Sequence, residues 1–261
     1  MVHILMFRAF FKIVSATTLL LLAASFAPAQ TVDEIIAKNI QAHGGIEKLK
    51  SVKTVRSSGK YIAGNLRVGF VQENKRPDKV REESIVQGAA DVQAYDGKTS
   101  WEINPFQGRK DPQLLSEDES KSLIEDADID GQLVDYKEKG HKAELVGHDP
   151  VEGTDCYKIK LTLKNGTVRY YYPDTDSYLE LKIATQRMIR GAIQETEAYF
   201  GDYEQVDGIY FPFAIESAEK GDPNRTKTTV EKIEINMPVD DGRFSVPATP
   251  AKAAAKSGMG S

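Results

Sequence analysis

Histidines, cysteines and closely spaced carboxylates are the groups that could bind a metal or attack a substrate. In this chain their spacing supports neither. Beyond the first 29 residues the histidines are His43, His141 and His148. His141 and His148 are seven positions apart across an expected strand and therefore point to opposite faces. Cys156 is the only cysteine, so no intramolecular disulfide forms, and within "CYKIKL" it reads as a small, partly buried side chain. There is no HExxH, no GxSxG and no cysteine pair. The runs "SEDES" (116–120) and "EDADID" (125–130) lack the spaced ligands, central glycine and terminal glutamate of a calcium loop. They read as a solvated helical face. The sequence therefore implies no metal, no cofactor and no catalytic constellation, and a hydrolase would need a triad that it does not offer.

What remains is apolar and aromatic chemistry, and the elements that place it can be read from periodicity. The single tryptophan, Trp101, lies in "YDGKTSWEINPF" (95–106). A two-residue Asp96-Gly97 turn would set Ala94 opposite Thr99, Val92 opposite Trp101 and Ala90 opposite Ile103, with Tyr95, Gln93, Asp91, Ser100 and Glu102 on the other face. In "YKIKLTLKNGTVRYYY" an Asn165-Gly166 turn would pair Leu163 with Val168, Leu161 with Tyr170 and Ile159 with Tyr172. "SYLELKIA" then puts Leu179, Leu181 and Ile183 on one side. Further strands are expected at 53–63, 66–75, 79–87, 142–148, 192–204, 209–219 and 226–236. Together these make an antiparallel meander of roughly ten or eleven strands.

Helical spacing appears twice. Thr31 and Glu34 form a capping-box pattern before a stripe of Val32, Ile36 and Ile40, ended by Gly44 and Gly45. A short turn, 46–52, follows. The segment 115–136 opens with Ser116 and Glu119, a second capping box. A sheet of this size with an apolar face needs cover, and a strongly twisted sheet curls. The expected fold is mainly β with α: an unclosed antiparallel β-barrel, a half-barrel of about 11 strands, with a helical lid on the concave face. Such a fold can leave an apolar cavity, although a fully packed interior would give the same periodicity. Trp101, Ile103, Phe70, Tyr170, Tyr172, Leu181, Phe211 and Phe213 are the candidate cavity wall. Trp101 reads equally as packed core and as ligand contact.

The ends and the charge bound the setting. Arg8 and Lys12, the apolar run 13–24 and "APA" at 27–29 form a secretory signal, with cleavage expected before Gln30. The full chain of 261 residues carries a net charge of −5. Without Arg8 and Lys12 that becomes −7, with no basic footprint for nucleic acid. Residues 30–247 form the expected domain, and 248–261, small and polar, a disordered tail.

"DGKTSWEINPF" resembles the corresponding hairpin of the periplasmic lipoprotein carriers of the LolA/LolB-type superfamily. "ENKRPDKVREE" resembles that family's strand ending in Lys-Arg-Pro, matched by Lys75, Arg76 and Pro77. "FGDYEQVDGIYFPFAI" resembles the late hairpin of outer-membrane lipoprotein-sorting proteins. The order holds across 31–246. The resemblance implies an unclosed barrel with a helical lid over a cavity that accepts lipoprotein acyl chains or lipid, and membrane-associated donor and acceptor proteins as partners. It also implies that Arg76 is a lid latch. A guanidinium there offers five donors for the carbonyls at a helix end. The sequence departs from the carriers at "DKVREESIV", where Arg81, Glu82 and Glu83 replace aromatic residues, and in a 107–140 insertion. The expected function is a non-enzymatic periplasmic carrier or binder of acyl chains. The alternative is a sensor of the same fold that reports ligand to a protein partner, which the acidic insertion favours.

Overall fold

The computed structural model describes residues 30–248. The expected signal peptide, 1–29, and residues 249–261 of the expected tail lie outside the described residues.

Among the described residues there are three α-helices: α1 (Val32–Ala42), α2 (Ile46–Ser51) and α3 (Glu117–Asp126). Both elements of the predicted capping box form at α3, where the Ser116 hydroxyl accepts from Glu119 N and the Glu119 side chain accepts from Ser116 N. The helical reading of 115–136 is too long. Beyond Asp126 the Asp128 side chain accepts from Asp130 N, and Gly131, at φ +74°, donates to Asp128 O. This Asx turn competes with helix extension. The rest, 127–141, is a run of turns.

The strands are β1 (Thr54–Ala63), β2 (Leu66–Lys75), β3 (Lys79–Val86), β4 (Ala89–Tyr95), β5 (Ser100–Asn104), β6 (Arg109–Leu114), β7 (Lys142–His148), β8 (Tyr157–Thr162), β9 (Val168–Pro173), β10 (Glu180–Ile189), β11 (Ala192–Val206), β12 (Ile209–Glu219) and β13 (Thr226–Ile235). All thirteen join one antiparallel sheet in the order β6-β5-β4-β3-β2-β1-β13-β12-β11-β10-β9-β8-β7. Among the described residues the sheet has thirteen strands, against about eleven expected. One of the unexpected strands, β6, lies in the 107–140 segment, and its Pro112 is tolerated on an edge. That segment is not an appendage, because it also supplies α3.

The two edges, β6 and β7, do not meet, so the barrel is unclosed. Its curl follows from α3, which touches β3, β4 and β5 and also β10. β3 and β10 are six strand spacings apart. A flat sheet would separate them by about 29 Å, against a helix diameter of about 10 Å. The sheet therefore wraps around α3, and the helix-bearing face is concave.

The hairpins form where expected but not in the expected registers. At Asp96-Gly97 the pairs are Ala94 with Trp101 and Val92 with Ile103. The Asp96 carboxylate accepts from both Lys98 N and Thr99 N, and Asp96 N donates to Thr99 O, so the loop spans four residues rather than two. The two-residue slip keeps each side chain on its face. At Asn165-Gly166 the slip is one residue. Ile159 pairs with Tyr171 and Leu161 with Arg169. Gly166, at φ +87°, donates to Leu163 O, while Leu163 N donates to Thr167 O, which makes a three-residue loop. A slip of one exchanges faces, so Tyr171 and Arg169 point inward and Tyr170 and Tyr172 outward. The irregularity between Glu180 and Lys182 turns Leu181 outward while Ile183 stays inward opposite Tyr171.

The concave face divides in two. Under α1, Ile159, Leu161, Leu163 and Tyr171 pack with Ile35, Ile36, Leu133 and Tyr136. Under α3, Val80 packs with Leu123 and Ala127, with Tyr95 beside them. Because Val80 and Tyr95 pair directly, their neighbours Ala94 and Trp101 lie on the convex face.

Candidate functional site

Apolar side chains from four strands meet the helices and the 128–134 turn around a cavity of about 290 Å³. Ile183 of β10, Phe200 of β11, and Phe211 and Pro212 of β12 form its floor and side. Ile40 of α1, Leu49 of α2, and Ile129, Leu133 and Val134 of the turn cover it. The local reason is register: Ile183 pairs with Tyr171 on one side and Ala198 on the other, so this inward row is apolar across three strands. A second recess, lined by Gln93, Glu102, Arg109, Asp118, Glu119 and Arg190, lies between the polar concave side of β4 and β5 and the start of α3.

One end of the cover is held by Arg76. Its Nε donates to Val52 O at 2.5 Å and one terminal nitrogen donates to Leu49 O at 3.0 Å, the carbonyls that close α2. The terminal nitrogens also donate to both carboxylate oxygens of Asp130, in the turn beneath which the cavity lies. Asp130 is 4% exposed and takes a further bond from Lys50 Nζ at 2.7 Å. Burial alone would raise the Asp130 pKa, but the Arg76 and Lys50 bonds and charges bring it below the usual range. One guanidinium thus joins α2, the turn and β2.

The other end is held by His43, just past α1. Its Nε2 lies 2.6 Å from Glu180 Oε2 and its Nδ1 lies 3.0 Å from Tyr210 O. A carbonyl only accepts, and an ionised carboxylate only accepts, so with Glu180 ionised both contacts are hydrogen bonds when His43 is the imidazolium. Burial pulls its pKa down, but Glu180's charge, that hydrogen bond and the Tyr210 carbonyl raise it overall. Burial pushes Glu180 up, and His43 together with Asn39 Nδ2 at 2.9 Å brings it below the usual carboxylate range. The Tyr203 hydroxyl completes the cluster by donating to Glu180 O at 2.8 Å. Gly44 is required here: at φ +124° it lies against the Gly208 carbonyl, where a Cβ would collide.

Arg169, which lines the cavity, is held by Glu125 of α3. Glu125 accepts from Arg169 at 2.6 Å, Arg187 at 2.7 Å, Thr167 at 2.7 Å and Asn165 at 2.9 Å. Burial alone would raise its pKa, but the Arg169 charge and the other partners hold it at about 2. Among the described residues no group of three or more His, Cys, Asp or Glu could hold a metal.

Of the eight candidate wall residues, only Phe211 lines the apolar cavity. Phe70 and Phe213 are on the concave face outside it. Trp101 and Ile103 belong to a convex cluster with Val92, Ala94 and Ala90. Trp101 is 0% exposed and donates from Nε1 to Phe244 O at 2.8 Å. Tyr170, Tyr172 and Leu181 form another convex cluster with Val151 and Cys156. The tryptophan is convex because a carboxy-terminal strap covers that side. Arg243 Nε donates to Glu73 at 2.5 Å, Arg81 donates to Arg243 O at 3.0 Å, and Lys75 Nζ donates to Val239 O at 2.6 Å. Sequence reasoning missed Ile183, Phe200, Asp130 and the His43–Glu180 pair. His43, three residues after Ile40 and seven after Ile36 and so on the same helical face, was the one available signal.

The fold and cavity define a class: an unclosed antiparallel half-barrel with helices and a turn over its concave face. The sequence matches a family described as "-like: Uncharacterized protein" over residues 113–248, just over half of the chain, and the chain belongs to that family. No curated protein matches it in sequence. Three solved structures share the fold. A LolA superfamily protein from Nitrosomonas europaea is 11% identical, with a TM-score of 0.57, covering 83% of this chain and 98% of its own. A DUF1329 family protein from Desulfovibrio piger is 14% identical at 0.57, covering 83% and 98%. A domain from Vibrio parahaemolyticus, provisionally described as an outer membrane lipoprotein-sorting protein, is 12% identical at 0.54, covering 81% and 94%. At these identities the likeness is one of fold.

Proposed function

We propose that the protein is a non-enzymatic binder and carrier of acyl chains, borne by a lipoprotein or a lipid, exported to the periplasm. The observation that carries this reading is the apolar cavity of about 290 Å³ beneath a cover pinned by Arg76. Sharing a fold with a protein described for lipoprotein sorting supports it. In this reading Arg76 is the latch. An entering chain displaces the 128–134 turn, and the Arg76 bonds to Asp130 and Leu49 O yield. Each buried methylene contributes about 0.8 kcal/mol, from which lid opening and lost ligand freedom subtract. Delivery would use membrane-associated donor and acceptor proteins. The sensor alternative rested on the 107–140 segment. That segment supplies β6, α3 and the cavity's covering turn, and its Glu125 and Asp130 are bound to Arg169 and Arg76 of the barrel, so it is built into the fold.

The test is native mass spectrometry with lipid extraction on protein expressed with its leader and purified from the cell envelope. Copurified lipid or lipoprotein, lost in Ile183→Asp and Phe211→Glu, is expected. The mature chain should begin at Gln30. Protein that is free of lipid and takes up no hydrophobic dye would sink the proposal.

A further inference from the structure

The two ends of the sheet differ in what they offer to solvent. In an antiparallel meander alternate connections share an end. The β1–β2, β3–β4, β5–β6, β8–β9, β10–β11 and β12–β13 tips therefore lie at one end, and the β2–β3, β4–β5, β7–β8, β9–β10 and β11–β12 connections at the other. The curl of the sheet gathers the tips into a rim. Gln107 and Arg109 of the β5–β6 tip and Ile189 and Arg190 of the β10–β11 tip border the same polar recess, although eight strand spacings separate β5 from β10.

The rim is bare of cover. Counted from the last two residues of each strand through the first two of the next, the six tips hold Leu66, Ile85, Phe106, Met188 and Ile193, each 42–65% exposed. Among the described residues the five opposite connections, of similar total length, hold only Tyr210, at 37%. The local structure keeps these side chains out. Ile85 stands between Gly69 and Ala90, which have no bulk to shield it. Phe106 rides on a tight turn that Asn104 closes by accepting from Gln107 N at 3.1 Å. Met188 and Ile193 are a direct cross-strand pair, and their tip is tied to α3 by Arg190 N, which donates to Asp118 at 3.2 Å.

Charge divides the same way. Over those stretches the six tips carry nine lysines and arginines against two acids, Glu219 and Asp222, whereas the opposite connections carry five against nine. Several rim cations are paired with acids further down the strands. Arg67, Lys110 and Lys164 are exposed and have no carboxylate partner among the described residues. A chain with a net charge of −5 thus presents a basic rim studded with apolar side chains.

We propose that this rim docks on an anionic phospholipid bilayer. The β1–β2, β3–β4, β5–β6 and β10–β11 tips seat their apolar side chains at the boundary of headgroups and acyl chains, and Arg67, Lys110 and Lys164 lie against the phosphates. The spacing of the apolar residues selects this occupant. They stand on separate tips, each beside polar backbone, and a fluid lipid surface can fill around each one. A protein partner would need a contiguous, closely packed centre. The β12–β13 tip, with Glu219 and Asp222 and no exposed large apolar side chain, stays hydrated. Arg76, Glu180 and Tyr210 belong to the opposite connections, so a docked molecule holds its cavity cover away from the bilayer. The docking does not depend on what the cavity holds.

Cosedimentation of the processed chain, purified from the cell envelope, with vesicles tests this. One set is phosphatidylcholine alone and the other phosphatidylcholine mixed with phosphatidylglycerol. Binding to the anionic set should be tighter by about tenfold or more at low salt, and the gap should close as salt screens it. Arg67→Glu with Lys110→Glu should remove the preference. Phe106→Ser with Met188→Ser should weaken binding to the anionic set by about tenfold or more. In Phe106→Trp the new indole should be quenched by brominated acyl chains, whereas Trp101 in the unsubstituted chain should not. All these positions are exposed, so hydrophobic dye uptake by the cavity should be unchanged in every variant, which separates docking from the acyl-chain reading. No binding to either vesicle, equal binding to both, or full binding by the Phe106→Ser, Met188→Ser chain would each overturn the proposal. So would a dimer that these substitutions dissolve, because the rim would then be a protein interface.

Discussion

The Trp101 indole donates to the Phe244 carbonyl at 2.8 Å on the convex side of the sheet, away from the cavity. Phe244, in the 239–244 strap, is itself 0% exposed, so the strap is packed onto the sheet. Trp101 emission should be blue-shifted and should not change when ligand fills the concave side. Phe244→Ala should cost about 3–5 kcal/mol, the range for deleting a buried phenylalanine, read from urea unfolding. A tryptophan signal that titrates with hydrophobic ligand would contradict this placement.

The Arg76–Asp130 contact predicts a change in opening rate. Arg76→Gln keeps length and loses the charge and the fork, so the α2 carbonyls and Asp130 lose their shared donor. Amide exchange should accelerate in 46–52 and 128–134 and stay unchanged in β8 and β9. Hydrophobic dye should associate faster. Uniform protection across both regions would show that Arg76 does not hold the cover.

His43 and Glu180 predict a bell-shaped pH dependence of stability. The folded pKa of His43 is raised, so its contribution is complete below the unfolded value of 6.5 and is lost as pH rises through the folded value. The folded pKa of Glu180 is lowered, so its contribution is complete above 4.5 and is lost as pH falls through its folded value. The pair stabilises most between these reference values. His43→Gln should flatten the alkaline limb, measured as the pH dependence of the unfolding midpoint. An unchanged limb would show that the imidazolium is not the group responsible.

Glu125 is the buried counterion of two arginines, and its loss leaves both uncompensated. Glu125→Gln should cost about 3–5 kcal/mol, as removal of one partner of a buried ion pair does. Glu125→Gln combined with Arg187→Gln should recover part of that loss in the same unfolding assay.

Much of this was legible in the residues. Alternating runs and the Asp96-Gly97 and Asn165-Gly166 turns mark hairpins because a pleated strand puts neighbours on opposite faces. The Ser116–Glu119 box marks the start of α3 because it satisfies two donors locally. Registers were harder, since loop length depends on side-chain acceptors. Asp96 accepting from two amides lengthened one loop and moved the register by an even step, which kept Trp101 on its apolar face. Gly166 closed a loop one residue longer than expected, and that odd step exchanged Tyr170 and Tyr172 for Tyr171 and Arg169.

The sequence by itself determined that a large antiparallel sheet forms and that the β4–β5 hairpin has one apolar and one polar face. Only the tertiary structure decided which face looks inward. An apolar face must be buried, but burial under a helix and burial under a strap leave the same alternating pattern. Here the strap at Phe244 took the Trp101 face, and α3, held by Glu125 and Asn74, took the polar one. That choice moved the apolar cavity to Ile183, Phe200 and Phe211.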